Sequence, residues 1–326
     1  MKRIKKIIIL LLCLAVTAGI PAIFTGCELF FMPDGSGTTI VCTNFAAYDF
    51  TRSILSHYTQ NGGEGEVNLV ILGKPGQDMH SFEPTPRDIV CLSVADAVIS
   101  TGGEEWLDSA MEASENRTAI RVSMTEACDV HAEHHHHDHD HDHGGGGDDH
   151  CALIGNDEHV WLSVDYATRI VHAIADALKE ADPKNATLWE ESAEAYNAEL
   201  LELKSDFHRM VEGAPKRAVV LADRHPFVYL FRELELDCTA AFPGCSSEIF
   251  ASFDTQTRLI EAVESNRLSY IFIIEGSDGN VAEVISDSTG ADILTLHSLQ
   301  VVTDYENTTY IATMKNNLEN LKKALQ

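Results

Sequence analysis

The sequence predicts an α/β fold of two Rossmann-like lobes, each built on a mostly parallel sheet, joined by one long rigid helix with a cleft between the lobes. Three observations predict it. Short apolar runs rich in Val and Ile alternate with stretches of helical periodicity, the pattern of strand–helix–strand units. The alternation occurs twice, on either side of one helical segment of about 25 residues. The chain has 326 residues, more than one ordinary core organises and comfortable for two lobes of about 100–150 residues each.

At the N-terminus, Lys2, Arg3, Lys5 and Lys6 precede an apolar run at 7–24, so residues 1–26 read as an export signal. Phe24-Thr25-Gly26-Cys27 resembles the bacterial lipobox, in which the cysteine receives a lipid and becomes the first mature residue. The alternative is an uncleaved anchor, since about 18 apolar residues just span a bilayer; Pro21 and the Gly-Cys ending argue against it. Both readings tether the protein outside the cytoplasm. Residues 27–37 form a polar linker containing Pro33-Asp34-Gly35-Ser36-Gly37.

The N-terminal lobe is expected over 38–186. TTIVCTN reads as a strand, followed by a helix over about 48–60, and VNLVILG as the next strand, ending in the loop GKPGQDMHSFEPTP. Thr85-Pro86-Arg87-Asp88 starts a helix well: Thr as N-cap, Pro at the first helical position and an acid three residues past the cap. Strand ADAVIST and helical GGEEWLDSAMEAS follow, and VDYATRIVHAIADALKEAD closes the lobe as an amphipathic helix. The connecting helix is expected over 187–213. Thr-Leu-Trp-Glu from Thr187 forms a capping box, Gly213 is a natural stop, and Tyr196, Leu200, Leu203, Phe207 and Met210 step along one face. The C-terminal lobe, 214–326, repeats the alternation with strands RAVVLAD, CTAAFPG, SYIFIIEG and ADILTLHS. Helices HPFVYLFREL, DTQTRLIEAVES and NVAEVISDSTG lie between them, and a final helix is expected over about 305–325.

Residues 131–150, HAEHHHHDHDHDHGGGGDDH, interrupt the first lobe and hold nine of the 16 histidines. His131, His134, His135, His136, His137, His139, His141, His143 and His150 alternate with aspartates. Imidazoles and carboxylates ligate Zn, Cu or Ni, so a disordered loop of both collects metal weakly in many arrangements. A purification tag sits at a terminus, and this run is internal; a merely solvated acidic loop is the other reading. The formal net charge of −28, from 23 Lys+Arg against 51 Asp+Glu, argues against nucleic acid or an anionic membrane surface as partner and is compatible with attracting cations. Of the eight cysteines, Cys42 and Cys91 lie in apolar runs and read as core residues. Cys238 with Cys245, and Cys128 with Cys151, are spaced to close disulfides outside the cell, although spacing alone does not assign the pairs.

Seven histidines lie elsewhere. His57, His172 and His208 fall within expected helices and read as helix-face residues. His297 follows a strand and stays open between a solvated residue and a ligand. His80, His159 and His225 sit in short segments at element boundaries, and Glu275 occupies a strand end equivalent to that of His225. Two candidates come from each half, as a site bridging a cleft requires, and ligands of such folds bind beyond the carboxyl ends of strands. Asp223 and Trp161 read as cleft-wall residues, and Glu83 as an acceptor for an imidazole N–H or a solvated residue. No HExxH, nucleophile elbow, P-loop or dinucleotide fingerprint occurs, which speaks against an enzyme.

GQDMHSFEPTP, DEHVWLS, DRHPFVY and YIFIIEG resemble the motifs of the zinc-binding ABC-transporter solute-binding lipoproteins, the ZnuA/AdcA-like family, and the resemblance extends over nearly the whole mature chain. It implies that His80, His159, His225 and Glu275 hold one metal ion and that Cys27 is lipidated. It also implies a monomer, anchored to the membrane by its lipid, that passes Zn2+ to a permease and its ATPase. The manganese branch of the family replaces the third histidine by Glu, so His225 favours zinc; a manganese or iron carrier or an adhesin is the alternative. Three imidazoles and one carboxylate fill a tetrahedral shell and leave no open position for catalysis. A secreted zinc hydrolase is the competing enzyme class. Site histidines are expected to protonate near 6.5 and release metal in acid.

Overall fold

In the computed structural model of the protein, the described residues are 36–130, 157–244 and 250–326. The export signal, Cys27, the nine-histidine segment, Cys151 and Cys245 lie outside them. Eight strands form two four-stranded sheets among the described residues, and every pairing in both is parallel. The first contains β1 (Thr38–Cys42), β2 (Val67–Ile71), β3 (Ala97–Ser100) and β4 (Ile120–Ser123), in the order β2-β1-β3-β4. The second contains β5 (Ala218–His225), β6 (Asp237–Pro243), β7 (Tyr270–Ile274) and β8 (Asp292–Leu296), in the order β6-β5-β7-β8. Each sheet is thus wound outward from its first strand in both directions, and its topological switch point lies between β1 and β3 or between β5 and β7.

The strands read as near-continuous apolar runs because both faces are covered. Alternate residues divide between layers, as the two-residue period of a strand demands. Ile40 of β1 and Leu221 and Phe272 of the second sheet join one large core, whereas Val41 packs on one outer side of the molecule and Val220 and Ile271 on another. That large core also takes in Trp189, Leu200 and Phe207 of the connecting helix and Tyr310 near the C-terminus. The two sheets therefore share a continuous apolar interior.

The helices are α1 (Phe45–Gln60), α2 (Pro86–Ser93), α3 (Glu105–Ser114), α4 (Met124–Ala127), α5 (Val164–Ala181), α6 (Ala186–Glu212), α7 (Val228–Glu233), α8 (Phe253–Asn266), α9 (Asn280–Thr289) and α10 (Tyr310–Ala324). None of the helices among the described residues is long and apolar enough to cross a membrane. The expected start of α2 holds: the Asp88 carboxylate accepts from the Thr85 N–H at 2.8 Å and from its hydroxyl at 2.7 Å.

Four expectations change. The strand β4 and the short α4 were not foreseen, because a four-residue edge strand offers too little alternation to detect. The capping box at Thr187 does not form: Glu190, its acidic member, pairs with Lys179 at 2.7 Å, and α6 begins instead at Ala186 after a 3-10 turn, Pro183–Asn185. On the strut's apolar face Val211 is buried, while Met210 is only partly so. The last helix starts at Tyr310, not 305. The preceding turn is held by Arg52, which donates to the carbonyls of Tyr305 and Thr308, and by Asp49, which accepts from the Tyr310 N–H at 2.6 Å.

The strut of 27 residues is about 40 Å long at 1.5 Å per residue. Trp189 stacks on Tyr58 of α1, with ring centroids 3.7 Å apart and planes 6° from parallel, and its indole N–H donates to Asp182 at 3.2 Å. Cys42 and Cys91 are buried as expected, and burial pushes the Cys42 thiol up to about 12, which leaves it inert. Both anticipated cysteine pairs have one member outside the described residues.

Candidate metal centre

The candidate residues lie at strand ends and at short 3-10 turns. His225 is the last residue of β5, and Glu275 directly follows β7, so both flank the switch point of the second sheet. His297 directly follows β8. His80 lies in a single 3-10 turn, Met79–Ser81, in the loop after β2; its imidazole is outside the described residues. His159 does not end a strand. It precedes the 3-10 turn Val160–Leu162, which leads into α5 capped by Ser163.

His159 is wholly buried. Its ring Nδ1 lies 2.8 Å from Asp157 Oδ1, and the same oxygen accepts the His159 backbone N–H at 2.9 Å. Trp161 meets the ring edge-on at 5.2 Å. The side-chain amide of Gln300 touches the other ring nitrogen, Nε2. The segment is stapled to the second lobe at four points. Tyr229 donates to the Asp157 carbonyl at 2.6 Å, Trp161 to the Ser298 carbonyl at 2.9 Å, Tyr310 to the Trp161 carbonyl at 2.8 Å, and Ser163 to Glu233 at 2.6 Å.

His225 stands beside this segment. Its ring tilts over Phe231 at 5.3 Å, and its Nδ1 is buried without a hydrogen-bond partner among the described residues. A buried polar atom left unpaired in a folded protein asks for a ligand. Burial lowers its pKa to about 4, the Asp157 carboxylate opposing this and His159 adding to it. Burial thus favours the neutral form of the His225 imidazole over the imidazolium. Gly244, at the end of β6, makes the close approach of the two segments possible. A Cβ there would lie 2.5 Å from Asp157 Oδ2, 3.0 Å from the His225 carbonyl and 3.4 Å from His159 Nδ1.

Glu275 is turned onto the loop after β8. Its Oε2 accepts the Ser298 N–H and its Oε1 the Ser298 hydroxyl, each at 2.7 Å. His297, one residue earlier, is held through its backbone by Asn317 of α10, at 2.8 Å to both N–H and carbonyl. Glu275 and His297 line the same cavity of about 540 Å³, between the ends of β7 and β8 and the start of α10. The described residues thus bring His159 and His225 together, and among them no three His, Cys, Asp or Glu side chains enclose a cation.

Of the cleft-wall candidates, Trp161 lies against the site, and Asp223 accepts the Arg224 and Ile274 N–H groups at 2.7 and 3.4 Å, which braces the strand ends. Glu83 is exposed and is not the acceptor of the His159 N–H; Asp157 is. The spacing Asp-x-His was the available signal, because two residues let a carboxylate fold back on its neighbour's ring. Gln300 gave no signal, since only the fold brings it there.

Comparison with known proteins agrees with this architecture. The chain matches the ZnuA family, described as zinc-uptake complex component A, periplasmic, over residues 40–324. It is 28% identical to the high-affinity zinc uptake system protein ZnuA of Bacillus subtilis over 296 residues, covering 89% of this chain and 88% of the relative. It is 26% identical to the manganese-binding lipoprotein MntA of Halalkalibacterium halodurans, covering 100% of this chain and 99% of that one. The crystal structure of the metal-dependent lipoprotein YcdH from Bacillus subtilis superposes with a TM-score of 0.69 at 25% identity, covering 88% of this chain and 99% of that one. By its fold and by the match over 40–324, this chain belongs to the ZnuA family of zinc-uptake components, extracytoplasmic metal-binding proteins that bind a solute and do not transform it.

Proposed function

We propose that this protein captures Zn2+ outside the cytoplasm and delivers it, as a lipid-anchored monomer, to an ABC permease and its ATPase. The observation that supports this most is His225 beside His159: a neutral imidazole with a buried, unpaired nitrogen next to a second imidazole whose Nδ1 is already committed. The reading takes His80, His159 and His225 as the imidazole ligands. The fourth ligand is Glu275, whose two oxygens each accept one hydrogen bond from Ser298 and keep a further lone pair for a cation. Three imidazoles with one carboxylate suit zinc better than manganese. Cys27 carries the lipid, and the histidines of 131–150 raise the local zinc concentration.

Isothermal titration of the protein with Zn2+ tests this. One tight site is expected to persist when 131–150 are deleted, and to be lost in His159→Ala and His225→Ala. Glu275→Gln, which removes the charged ligand, is expected to weaken zinc binding by more than about tenfold, and His297→Ala to bind normally. Loss of tight binding on deletion of 131–150, or a Glu275→Gln variant that binds normally while His297→Ala does not, overturns the assignment. A second reading, a manganese carrier, is favoured by the full-length similarity to MntA. Competition between Zn2+ and Mn2+ for the purified protein separates the two.

A further inference from the structure

Resting on the zinc-site reading above, the geometry points to Asp157 as a positioning residue: it fixes which nitrogen His159 presents to the cation and supplies the buried negative charge that faces it. An ionised carboxylate only accepts hydrogen bonds. With Asp157 Oδ1 2.8 Å from His159 Nδ1, the carboxylate favours a ring proton on Nδ1 and so leaves the lone pair on Nε2 for a cation. That is the nitrogen next to which Gln300 of the second lobe sits. The arrangement is the carboxylate–imidazole relay that orients metal-binding histidines in general.

Three further contacts hold Asp157 itself. The same oxygen takes the His159 backbone N–H at 2.9 Å, which closes a tight ring around the carboxylate. Tyr229 of α7 grips its carbonyl at 2.6 Å. Its other oxygen, Oδ2, packs against the main chain at Gly244, where a Cβ would approach to 2.5 Å. The carboxylate is only 8% exposed, so it is a fixed charge and not a solvated one.

Charge supplies the second half of the role. Neutral imidazoles bring none and one carboxylate ligand supplies only part of what a dication in a buried site needs, because an uncompensated buried charge is strongly unfavourable. Asp157 is placed for this without occupying a coordination position.

The test uses the full chain with Asp157→Asn and Asp157→Ala, and His225→Ala as a control. Circular dichroism checks folding. The tautomer of His159 is read from ¹⁵N-imidazole spectra of the metal-free protein, and Zn2+ affinity from competition with a chromophoric chelator. The unaltered chain is expected to show His159 protonated on Nδ1. Asp157→Ala is expected to mix the tautomers and weaken zinc binding roughly a hundredfold. Asp157→Asn keeps an acceptor but loses the charge, and is expected to weaken it roughly tenfold. A residue with a merely structural role would destabilise the fold and leave the tautomer unchanged. If His225→Ala abolishes tight zinc binding while both Asp157 variants bind normally with His159 still protonated on Nδ1, the role of Asp157 is refuted and the zinc site stands. If His225→Ala binds zinc normally, the site reading itself fails, and the tautomer spectra still decide what Asp157 does to His159. Should Asp157→Ala not fold, the isosteric Asp157→Asn decides the charge role and Tyr229→Phe, which frees the Asp157 carbonyl, reports on the positioning.

Discussion

His225 shows how one side chain can be prepared for a cation by its surroundings alone. An imidazolium would lose its hydration at the end of β5, so burial lowers the pKa from 6.5 to about 4. The consequence for stability has a definite sign. Between pH 6.5 and about 4 the unfolded chain takes up a proton that the folded chain refuses. The metal-free protein is therefore destabilised as pH falls through that window, by about 1.4 kcal/mol per unit and about 3 kcal/mol at most. Below pH 4 this contribution falls no further. Urea unfolding of the metal-free protein at pH 7 and pH 4.5 checks it: His225→Gln is expected to lose less stability between the two than the unaltered chain. An identical loss in both would show that His225 is not held neutral. Asp157 and Gly244 belong to the same scale. The carboxylate was legible as Asp-x-His, but the need for glycine at 244 was not, because it arises only where β6 meets a segment some 85 residues earlier in the chain.

Among the elements, the strut α6 is the one the sequence announced most clearly and the one whose start it misplaced. Its apolar face was readable because Leu200, Leu203 and Phe207 recur at helical spacing and are buried. Its N-terminus was not, because Glu190 has a competing partner in Lys179 that lies outside any local window. The stacking of Trp189 on Tyr58 makes this end of the strut an anchor on the first lobe. Trp189→Ala is expected to cost about 3–5 kcal/mol, the range for truncating a large buried aromatic side chain, measured by chemical denaturation. A cost below about 1 kcal/mol would mean that the stack is not a fixed contact. The segment 157–163 reverses the expectation in another way. It belongs in sequence to the first lobe, yet Tyr229, Ser298, Tyr310 and Glu233 of the second lobe hold it.

For the whole molecule, the decisive feature is that the two sheets and the strut share one apolar interior. A hinge would have to open that interior to water at about 25 cal/mol for every Å² exposed, so wide closure is disfavoured and local shifts near the site are the available motion. Small-angle X-ray scattering with and without Zn2+ is expected to give the same radius of gyration. A clear compaction on zinc binding would contradict a stiff frame. The net charge of −28 acts at the same scale, favouring approach of cations at low ionic strength.

The sequence by itself determined the duplicated α/β plan and the order of its strands and helices apart from β4 and α4, because periodicity and boundary chemistry are local properties of a chain. Tertiary structure decided the rest: that Glu275 faces Ser298, that Asp157 and Gln300 flank the two nitrogens of His159, and that His225 is neutral far below its ordinary pKa. Each of these depends on which atoms exclude water from a given group, and that is a property of neighbours distant in sequence.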